Sequence, residues 1–484
     1  LRKLRQRKRL LKKQPPKKLL LKRRQQKRQP LKKQRLTKTI DMKELIHKYN
    51  IPGPRYTSYP TVPYWDDASF TPEAYLETLK RSFKESNTKQ GISIYIHLPF
   101  CEQLCTFCAC HKRITKKHSV EAPYIDALIK EWNLYLEVLE EKPVISEIHL
   151  GGGTPTFFAM EQLERLLTHL FDSSIIAENH TFSFEGHPNN TKLEHLQGLY
   201  DLGFRRCSFG VQDYDERVQI AINRVQPYQN VLNVTEAARK IGYTSVSHDL
   251  VFGLPFKTWK GMDRTIRRTL ELKHAPWIKG VGQRGFDEND LPSGEAKREL
   301  YENGKALLEE LGYIEVGMDH FSLPTDSLYQ AMVDKTIHRN FMGYTSSSTQ
   351  VMIGLGMSSI SDTWYGFAQN EKVLEDYYAR LEKNEIPLAR GHILNQEDLV
   401  IRRHILNLMC LLETSWDQPE EQFPELANTL ERLKEMESDG LLEFIDNGLK
   451  ITEKGRIFAR NICMTFDLRM LRDKPETRIF SMTV

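Results

Sequence analysis

The sequence predicts an α/β protein built around a partial (β/α)6 barrel, with an N-terminal arm and a C-terminal, mostly helical, winged-helix-like domain. Short apolar runs alternate with amphipathic stretches between residues 91 and 273, and this alternation is typical of parallel strands joined by helices. Beyond about residue 391 the alternation gives way to two helical patterns and a hairpin pattern.

Five strands and five helices are predicted in the barrel. The strands cover 91–98, 144–150, 181–185, 206–211 and 245–252, and the helices cover 121–141, 160–171, 191–202, 228–241 and 259–273. The loops that follow the strands contain most of the unusual residues, and a (β/α) barrel carries its active site at these loops.

A sixth strand is harder to place. After the helix at 259–273, the chain runs through Pro276 and Trp277 into a short apolar stretch that glycines interrupt. Either residues 274–282 supply this strand or the barrel lacks one. A missing interior strand would expose backbone hydrogen-bonding groups and core side chains.

Composition divides the chain into five parts. The predicted parts are a basic low-complexity tail at 1–41, an arm at 42–90, the barrel at 91–325, a connecting segment over the active site at 326–390, and the C-terminal domain at 391–484. Prolines and glycine in 52–60 force the arm to be extended. Helices at 396–412 and 424–438 precede an Asn447-Gly448 turn, which predicts a winged-helix unit. Its mixed charges favour a cover for the site over DNA binding.

Charge is concentrated in the tail. Residues 1–40 hold 19 Lys and Arg and no acidic residue, whereas the remaining 444 residues hold 50 basic and 64 acidic residues. A basic tail is compatible with nucleic-acid or membrane binding, with organelle targeting, or with a solvated or over-extended segment. We expect the last of these, and therefore no nucleic-acid partner. No run of eighteen apolar residues occurs, so we expect no membrane span and a cytoplasmic protein.

Four of the seven cysteines lie within ten residues, at Cys101, Cys105, Cys108 and Cys110. Thiolates are the usual ligands of iron–sulfur clusters, and three of them leave one iron open. Structural zinc is the competing interpretation, but it usually takes four ligands in paired knuckles. The spacing of three then two residues, directly after the first strand, favours a [4Fe-4S] cluster on Cys101, Cys105 and Cys108. Phe107 is expected to shield it, and Cys207, Cys410 and Cys463 are expected in the core.

Three glycines, Gly151-Gly152-Gly153, end the second strand and precede Thr154. Glycine lets a backbone approach a ligand closely. The motif alone is weak evidence for a ligand site. Because it lies directly downstream of the cysteines, it is a candidate cofactor contact.

The cysteine spacing and the Gly-Gly-Gly-Thr-Pro motif together resemble the radical S-adenosylmethionine (SAM) superfamily. Further segments resemble the oxygen-independent coproporphyrinogen III oxidase family within it. They are the arm at 53–60, YIHLPFC at 95–101, CAC at 108–110, GVQD at 210–213, DLVFGLP at 249–255, GMDHF at 317–321, HRNF at 338–341 and RNICM at 460–464. The resemblance covers about residues 42–484.

The resemblance implies a set of SAM-binding positions. They are Tyr95, Phe107, Cys110, Gly152, Gly153, Thr154, Glu185, Gln212, Arg224, Asp249 and Ile360. Glu185 can pair with the amino group of SAM, and Arg224 with its carboxylate. Asp249 can accept hydrogen bonds from ribose hydroxyls.

The resemblance also implies an activity. A SAM-derived 5′-deoxyadenosyl radical would convert two propionates of coproporphyrinogen III into vinyl groups and give protoporphyrinogen IX, in a monomer served by a low-potential electron donor. The substrate's carboxylates require basic partners, for which Arg55, Arg339, Arg402 and Arg403 are candidates. A non-catalytic haem-binding chaperone relative and another radical SAM enzyme acting on haem are the alternatives.

Overall fold

The computed structural model describes residues 41–272, 275–278, 290–292, 294–477 and 479–483. Predictions for the tail at 1–40 lie outside these residues. The described chain is organised around a twelve-stranded sheet with the order β16-β15-β14-β13-β1-β4-β5-β6-β7-β8-β10-β9.

The strands are bounded as follows: β1 Ile92–Leu98, β2 Phe100–Cys101, β3 Arg113–Ile114, β4 Val144–Gly152, β5 Ile175–Gly186, β6 Arg206–Gln212, β7 Ser245–Leu250, β8 Ala275–Ile278, β9 Ile314–Gly317, β10 His320–Ser322, β11 His338–Asn340, β12 Gly343–Thr345, β13 Val351–Leu355, β14 Ile360–Thr363, β15 Gly366–Asn370, β16 Leu388–Ile393, β17 Glu413–Ser415, β18 Leu442–Ile445 and β19 Gly448–Ile451.

The helices are bounded as follows: α1 Met42–Tyr49, α2 Pro72–Ser86, α3 Glu121–Leu139, α4 Met160–Asp172, α5 Leu193–Asp201, α6 Glu216–Ala221, α7 Tyr228–Ile241, α8 Trp259–Glu271, α9 Gly294–Glu310, α10 Ser327–Val333, α11 Leu374–Glu382, α12 Gln396–Leu411, α13 Leu426–Ser438, α14 Ala459–Phe466 and α15 Leu468–Arg472.

The middle of the sheet is a parallel block, and the predicted α/β barrel class is confirmed. Strands β1, β4, β5, β6, β7 and β8 pair in parallel in that order. Strand β13 pairs in parallel on the other side of β1 and extends the block to seven strands. Antiparallel strands flank the block on both sides, so the barrel is partial.

Strand β8 is the sixth strand of the predicted barrel. It pairs in parallel with β7, with Ser247 opposite Ala275 and Leu250 opposite Ile278. On its other side it pairs with β10. Residues within 274–282 therefore supply the missing strand. The neighbouring residues 273–274 and 279–289 lie outside the described part of the chain.

Strand β1 shows how the sequence separates core from site. All seven of its residues are buried. Because successive side chains point to opposite faces, Ile92, Ile94 and Ile96 join the hydrophobic core under the helices. The alternate residues, including Tyr95 and His97, face the interior of the barrel. One strand therefore anchors the fold and lines the site.

The C-terminal domain has the predicted winged-helix character, with a three-stranded sheet in the order β17-β19-β18 whose first strand lies between α12 and α13 and whose hairpin follows α13. The hairpin turn is Asp446-Asn447, one residue earlier than predicted, because Gly448 already pairs with Ile445. Asn447 adopts a positive φ of 48°, which asparagine tolerates better than most residues. Among the described residues, every helix is too short or too polar to cross a bilayer.

The arm packs on the C-terminal domain. Tyr49 and Tyr56 belong to its hydrophobic cluster. The Tyr49 hydroxyl donates to Asp439 at 2.6 Å, and the Tyr56 hydroxyl donates to Asp467 at 3.1 Å. Because these two side chains are held, the arm around Tyr56 lies in a fixed position near β11.

A buried carboxyl on α3 ties the helix to the flank of the sheet. Glu131 is fully buried and accepts hydrogen bonds from the Gly356 amide at 2.8 Å, the Asn370 side chain at 2.6 Å and the Tyr377 hydroxyl at 2.7 Å. Burial outweighs these three donors and raises the pKa of Glu131 to about 7.

This pKa predicts a pH-dependent stability. A carboxyl whose folded pKa is raised contributes stability below its unfolded pKa, and that contribution is lost as the pH rises through the folded pKa. As the pH rises from 5 to 8, ionisation of Glu131 should therefore lower the free energy of unfolding by about 3 kcal/mol at most. Denaturant titrations should show a smaller decline in Glu131→Gln than in the wild type. The exposed Glu137→Gln on the same helix is the control, and parallel curves for Glu131→Gln and wild type would contradict the prediction.

Candidate functional site

The candidate site lies where the carboxyl ends of the parallel strands meet. Tyr95 and His97 come from β1, the glycines from the end of β4, Glu185 from the end of β5, Gln212 from the end of β6, and Asp249 from β7. Carboxyl ends of parallel strands share one edge of a sheet, so distant segments contribute to one place.

Cys101 lies deepest in the cysteine loop. It ends β2, it is buried, and its Sγ lies 3.3 Å from Oγ1 of Thr154. A Cβ at Gly153 would lie 2.5 Å from the Pro99 carbonyl oxygen and 3.0 Å from Cys101 Sγ. Only glycine permits this approach, so the glycine loop and the cysteine loop are packed backbone against backbone.

Cys105 and Cys108 are partly exposed on the same loop. The Cys108 amide donates to the Cys105 carbonyl at 3.2 Å, and Lys112 Nζ donates to the Cys108 carbonyl at 2.8 Å. A side-chain hydrogen bond with Cys110 is the largest influence on Cys108, and together with the Lys112 ammonium it lowers the pKa of the Cys108 thiol to about 6. A thiol of this kind is readily available as a thiolate ligand.

Phe107 covers one side of the loop. It is buried in a cluster with Val218, Ile222, Val251 and Leu254, and Cys105 packs against the same cluster. This position agrees with the predicted shielding of a cluster from water.

The donor set fits an iron–sulfur cluster. In the ranges that the structure describes, no three His, Cys, Asp or Glu side chains converge closely enough to hold a single metal ion. Cysteines that ligate separate irons of one cluster do not have to converge on one point. Cys101, Cys105 and Cys108 would hold the cluster, and the exposed Cys110 lies beside it.

The glycine loop approaches β1 as closely as it approaches the cysteines. Gly152 has a φ of 109°, and a Cβ there would lie 2.8 Å from His97 Nδ1. Burial lowers the pKa of His97 to about 4, so its ring is neutral. Its Nε2 lies 2.8 Å from the His111 carbonyl and donates to it, and its Nδ1 accepts from the Tyr95 hydroxyl at 3.1 Å. The Tyr95 ring stacks on His149 at 6.0 Å.

Glu185 has the exposure that a ligand-binding carboxylate needs. Its side chain is 45% exposed, and Oε1 lies 3.5 Å from His149 Nε2. It lies near the carboxyl end of β5. An ammonium group could reach it there, as predicted for the amino group of SAM.

Gln212 and Arg224 each carry a buried polar atom without a partner. Gln212 has a φ of 65°, and its Oε1 is buried and unpaired, as is Nε of Arg224. The guanidinium donates to the Gly210 carbonyl at 2.6 Å, and Nη1 lies 3.6 Å from Cys105 Sγ. Buried unpaired groups are rare in folded proteins. Their presence beside the cysteines indicates a polar ligand that completes their hydrogen bonds, and SAM fits this description.

Asp249 and Ile360 differ in how closely they join this group. Asp249 accepts a hydrogen bond from Ser208 at 3.2 Å on the interior face of the barrel. Ile360 lies on β14, beyond β13, and packs against the cluster of Trp65, Phe367 and Leu394. Its assignment stays a prediction.

A cavity of about 1000 Å³ adjoins the strand ends. Phe252 and Phe341 are part of its lining, and the Phe341 ring meets the Tyr95 ring edge-on at 4.9 Å. The cavity is therefore adjacent to the SAM-binding candidates. Two of the four predicted substrate arginines, Arg55 and Arg339, line it.

The other two predicted arginines lie elsewhere. Arg402 and Arg403 line an adjoining cavity of about 410 Å³. Arg402 forms an ion pair with Asp362 at 2.7 Å and donates to the Thr363 carbonyl at 2.8 Å. The described lining of the large cavity does not include either arginine.

Sequence reasoning missed three cavity arginines, Arg298, Arg456 and Arg460. Arg460 is buried and donates to the carbonyls of Gly53, Pro54 and Met482. The RNICM segment resembles the family, yet nothing in the local sequence indicates that its arginine contacts the arm. Arg298 has a buried, unpaired Nε, and only the path of α9 brings it to the cavity. His149 was also missed, although it lies on the same face of β4 as Gly151 and could have been found from the strand period of two.

Comparison with known proteins places this geometry in a family. The radical SAM superfamily model matches residues 95–269, and the model described as the HemN C-terminal domain matches residues 394–458. The chain is 34% identical to the oxygen-independent coproporphyrinogen III oxidase of Synechocystis, over 91% of this chain and 97% of that protein. It is 35% identical to the Escherichia coli enzyme of the same name, over 91% and 98% of the two chains.

A solved structure agrees with these sequence matches. The coproporphyrinogen III oxidase of Escherichia coli, described as a radical SAM enzyme, superposes with a TM-score of 0.81 at 32% identity, over 89% of this chain and 99% of that chain. The cysteine loop, the glycine loop and the barrel around them are thus those of a radical SAM protein, and the chain belongs to the oxygen-independent coproporphyrinogen III oxidase family.

Proposed function

We propose that this protein catalyses the oxygen-independent oxidative decarboxylation of two propionates of coproporphyrinogen III to vinyl groups, giving protoporphyrinogen IX. The observation that carries the proposal is the position of a large cation-lined cavity beside the candidate cluster and SAM residues. The relatives named above are oxidases, which favours this activity over haem carriage.

The residues at the strand ends hold the cofactors in this proposal. Cys101, Cys105 and Cys108 would ligate the [4Fe-4S] cluster, and Glu185, Arg224 and the glycine loop would bind SAM. When bound, these groups supply the electron and the 5′-deoxyadenosyl radical that takes a hydrogen atom from the propionate. Tyr95 belongs to the candidate cofactor residues and Phe341 to the cavity lining, and their rings are in edge-on contact.

The charges around the cavity suit a substrate with several carboxylates. Three acidic side chains line it, Glu315, Asp319 and Glu453, against a larger group of bases. The bases are Arg55, Lys297, Arg298, Lys305, Lys335, Arg339, Arg456 and Arg460. Arg298 and Lys335 also pair with Glu302 and Glu413 outside the lining. The remaining excess of positive charge suits the carboxylates of coproporphyrinogen III, and the volume lies at the upper end of ordinary ligand sites.

Three of these arginines lie close together at the arm. Burial, followed by the charge of Arg55, lowers the pKa of Arg460 to about 10. Arg339 donates to the Arg55 and Tyr56 carbonyls at 3.2 and 3.3 Å, and its Nη1 is buried without a partner. Only Arg55 has a carboxylate partner among these contacts, Asp319 at 2.5 Å. A carboxylate ligand would relieve this concentration of positive charge.

The compartment and the assembly remain part of the proposal. Cluster ligation by free thiols suits a reducing compartment, so we propose the cytoplasm. The low-potential electron donor and the monomeric state that the resemblance implies stay predictions.

The first test is the activity itself. The protein is reconstituted with iron and sulfide under anaerobic conditions and given dithionite, SAM and coproporphyrinogen III. We expect the protein to form 5′-deoxyadenosine and protoporphyrinogen IX, and mass spectrometry would detect both. Cys105→Ala should lose both products because an iron loses its ligand. Cys207→Ala, which truncates a core cysteine of β6, should retain both. The proposal would be overturned in favour of a haem carrier if the wild-type protein assembles its cluster, forms neither product and binds haem tightly.

The second test separates the cavity arginines from those outside it. Arg339→Lys should raise the KM for coproporphyrinogen III by about tenfold or more, the equivalent of about 1.4 kcal/mol, because lysine cannot reproduce a planar pair of donors. Its KM for SAM should stay unchanged. Arg403→Lys, on the adjoining cavity, should leave both constants unchanged. An equal effect of the two variants would contradict the assignment of the large cavity to the substrate.

A further inference from the structure

A buried ion pair joins the loops that follow β6 and β7. Asp213 comes directly after β6 and is 0% exposed, and Lys257, in the loop after β7, is 8% exposed. Their side chains form an ion pair through Oδ2 of the carboxylate. The other carboxylate oxygen accepts from the Thr265 hydroxyl at 2.7 Å and from the Asp215 amide at 2.9 Å. Because buried charges persist when they are paired and hydrogen-bonded, this pair is a fixed point between the two loops.

Asp213 is the last residue of a strained turn at the end of β6. Its amide donates to the Val211 carbonyl at 2.8 Å, which closes a three-residue turn around Gln212. Gln212 has a φ of 65° in this turn. A turn of this kind is rare and strained, and a strained backbone persists only where the surrounding structure holds it. The buried ion pair holds the turn at Asp213.

A second set of hydrogen bonds connects this turn to the segment of Arg224. Gln219 is buried, and its Nε2 donates to the Asp213 carbonyl at 2.8 Å and to the Gln226 carbonyl at 2.9 Å. The Gln219 carbonyl accepts from the Arg224 amide at 2.8 Å. One buried residue therefore ties the segment that carries Arg224 to the backbone of Asp213.

The side chains of Gln212 and Arg224 meet at Gly210. A Cβ at Gly210 would lie 2.7 Å from Gln212 Nε2 and 2.8 Å from Arg224 Nη2. Gln212 Oε1 and Arg224 Nε are the buried atoms without a protein partner that the candidate SAM site presents. A ligand gains most from polar groups that are already in position, because ordering them on binding costs affinity.

We infer that Asp213 and Lys257 are positioning residues for SAM. Their ion pair holds the turn that presents Gln212 and, through Gln219, the segment that presents Arg224. Neither charged residue touches SAM, and both act through these two side chains. The inference rests on the proposed function, in which SAM binds at these strand ends.

The test separates positioning from stability by removing both charges. Asp213→Asn and Lys257→Met each leave one buried charge without its partner, so each should lower stability and SAM affinity together. Asp213→Asn/Lys257→Met buries no charge, and its denaturant unfolding should return towards that of the wild type. The double variant still lacks the link between the two loops, so its Kd for SAM should stay raised by about tenfold or more.

A second variant probes the same network without touching the ion pair. Gln219→Met removes the hydrogen bonds from the side chain to the Asp213 and Gln226 carbonyls. Its Kd for SAM should rise by about threefold or more, as expected for the loss of a hydrogen bond that holds a binding group.

SAM binding gives a readout that is independent of catalysis. Equilibrium dialysis is done on protein with a reconstituted cluster and without reductant, at equal iron content for all variants. With dithionite and coproporphyrinogen III, the KM for SAM should rise in the double variant, while kcat at saturating SAM should stay within about twofold of the wild type. The KM for coproporphyrinogen III should not change.

The control is a partly buried ion pair at the other end of the same strand. Arg206, at the amino end of β6, lies 3.5 Å from Asp326, which caps α10. Arg206→Met/Asp326→Asn should bind SAM like the wild type.

Three outcomes would overturn the inference. They are wild-type SAM affinity in Asp213→Asn/Lys257→Met, wild-type SAM affinity in Gln219→Met, and an equal loss of SAM affinity in the control. A wild type that binds SAM but forms no protoporphyrinogen IX would count against the proposed function alone.

Discussion

The site depends on the close approach of the glycine loop to the cysteine loop. The Gly153 amide donates to the Leu98 carbonyl at 2.9 Å, and no side chain fits between Gly153, Pro99 and Cys101. This contact joins the carboxyl ends of β1 and β4, which are neighbours in the sheet. It fixes Cys101, a candidate cluster ligand, against the glycine loop, which is part of the candidate SAM site.

Basic residues are concentrated in two separate regions of the molecule. The large cavity collects arginines from the arm, from β11 and from the C-terminal domain, on a protein whose described part is acidic overall. The cysteine loop carries a second positive region on the outer surface. The cavity suits a carboxylate-bearing small molecule.

The sixth strand of the barrel is short, and the fold requires only a few residues there. Four residues, Ala275–Ile278, pair with β7 on one side and β10 on the other. Pro276 lacks an amide hydrogen and is unusual in an interior strand, which explains why the sequence pattern gave little sign of it. Backbone pairing with two neighbours completes this side of the sheet in spite of the short segment.

The sequence by itself determined the parallel barrel and the placement of the cysteine motif and the glycine loop after its strands, because strand and helix periods and motif spacing are local properties of the chain. It also predicted the winged helix, with the hairpin turn shifted by one residue. Only the tertiary structure decided which arginines share a cavity. Arg460 and Arg298 reach it, while Arg402 is held by Asp362 in another. The physical reason is that long cationic side chains are common on surfaces, and their partners come from segments hundreds of residues away that no local pattern records.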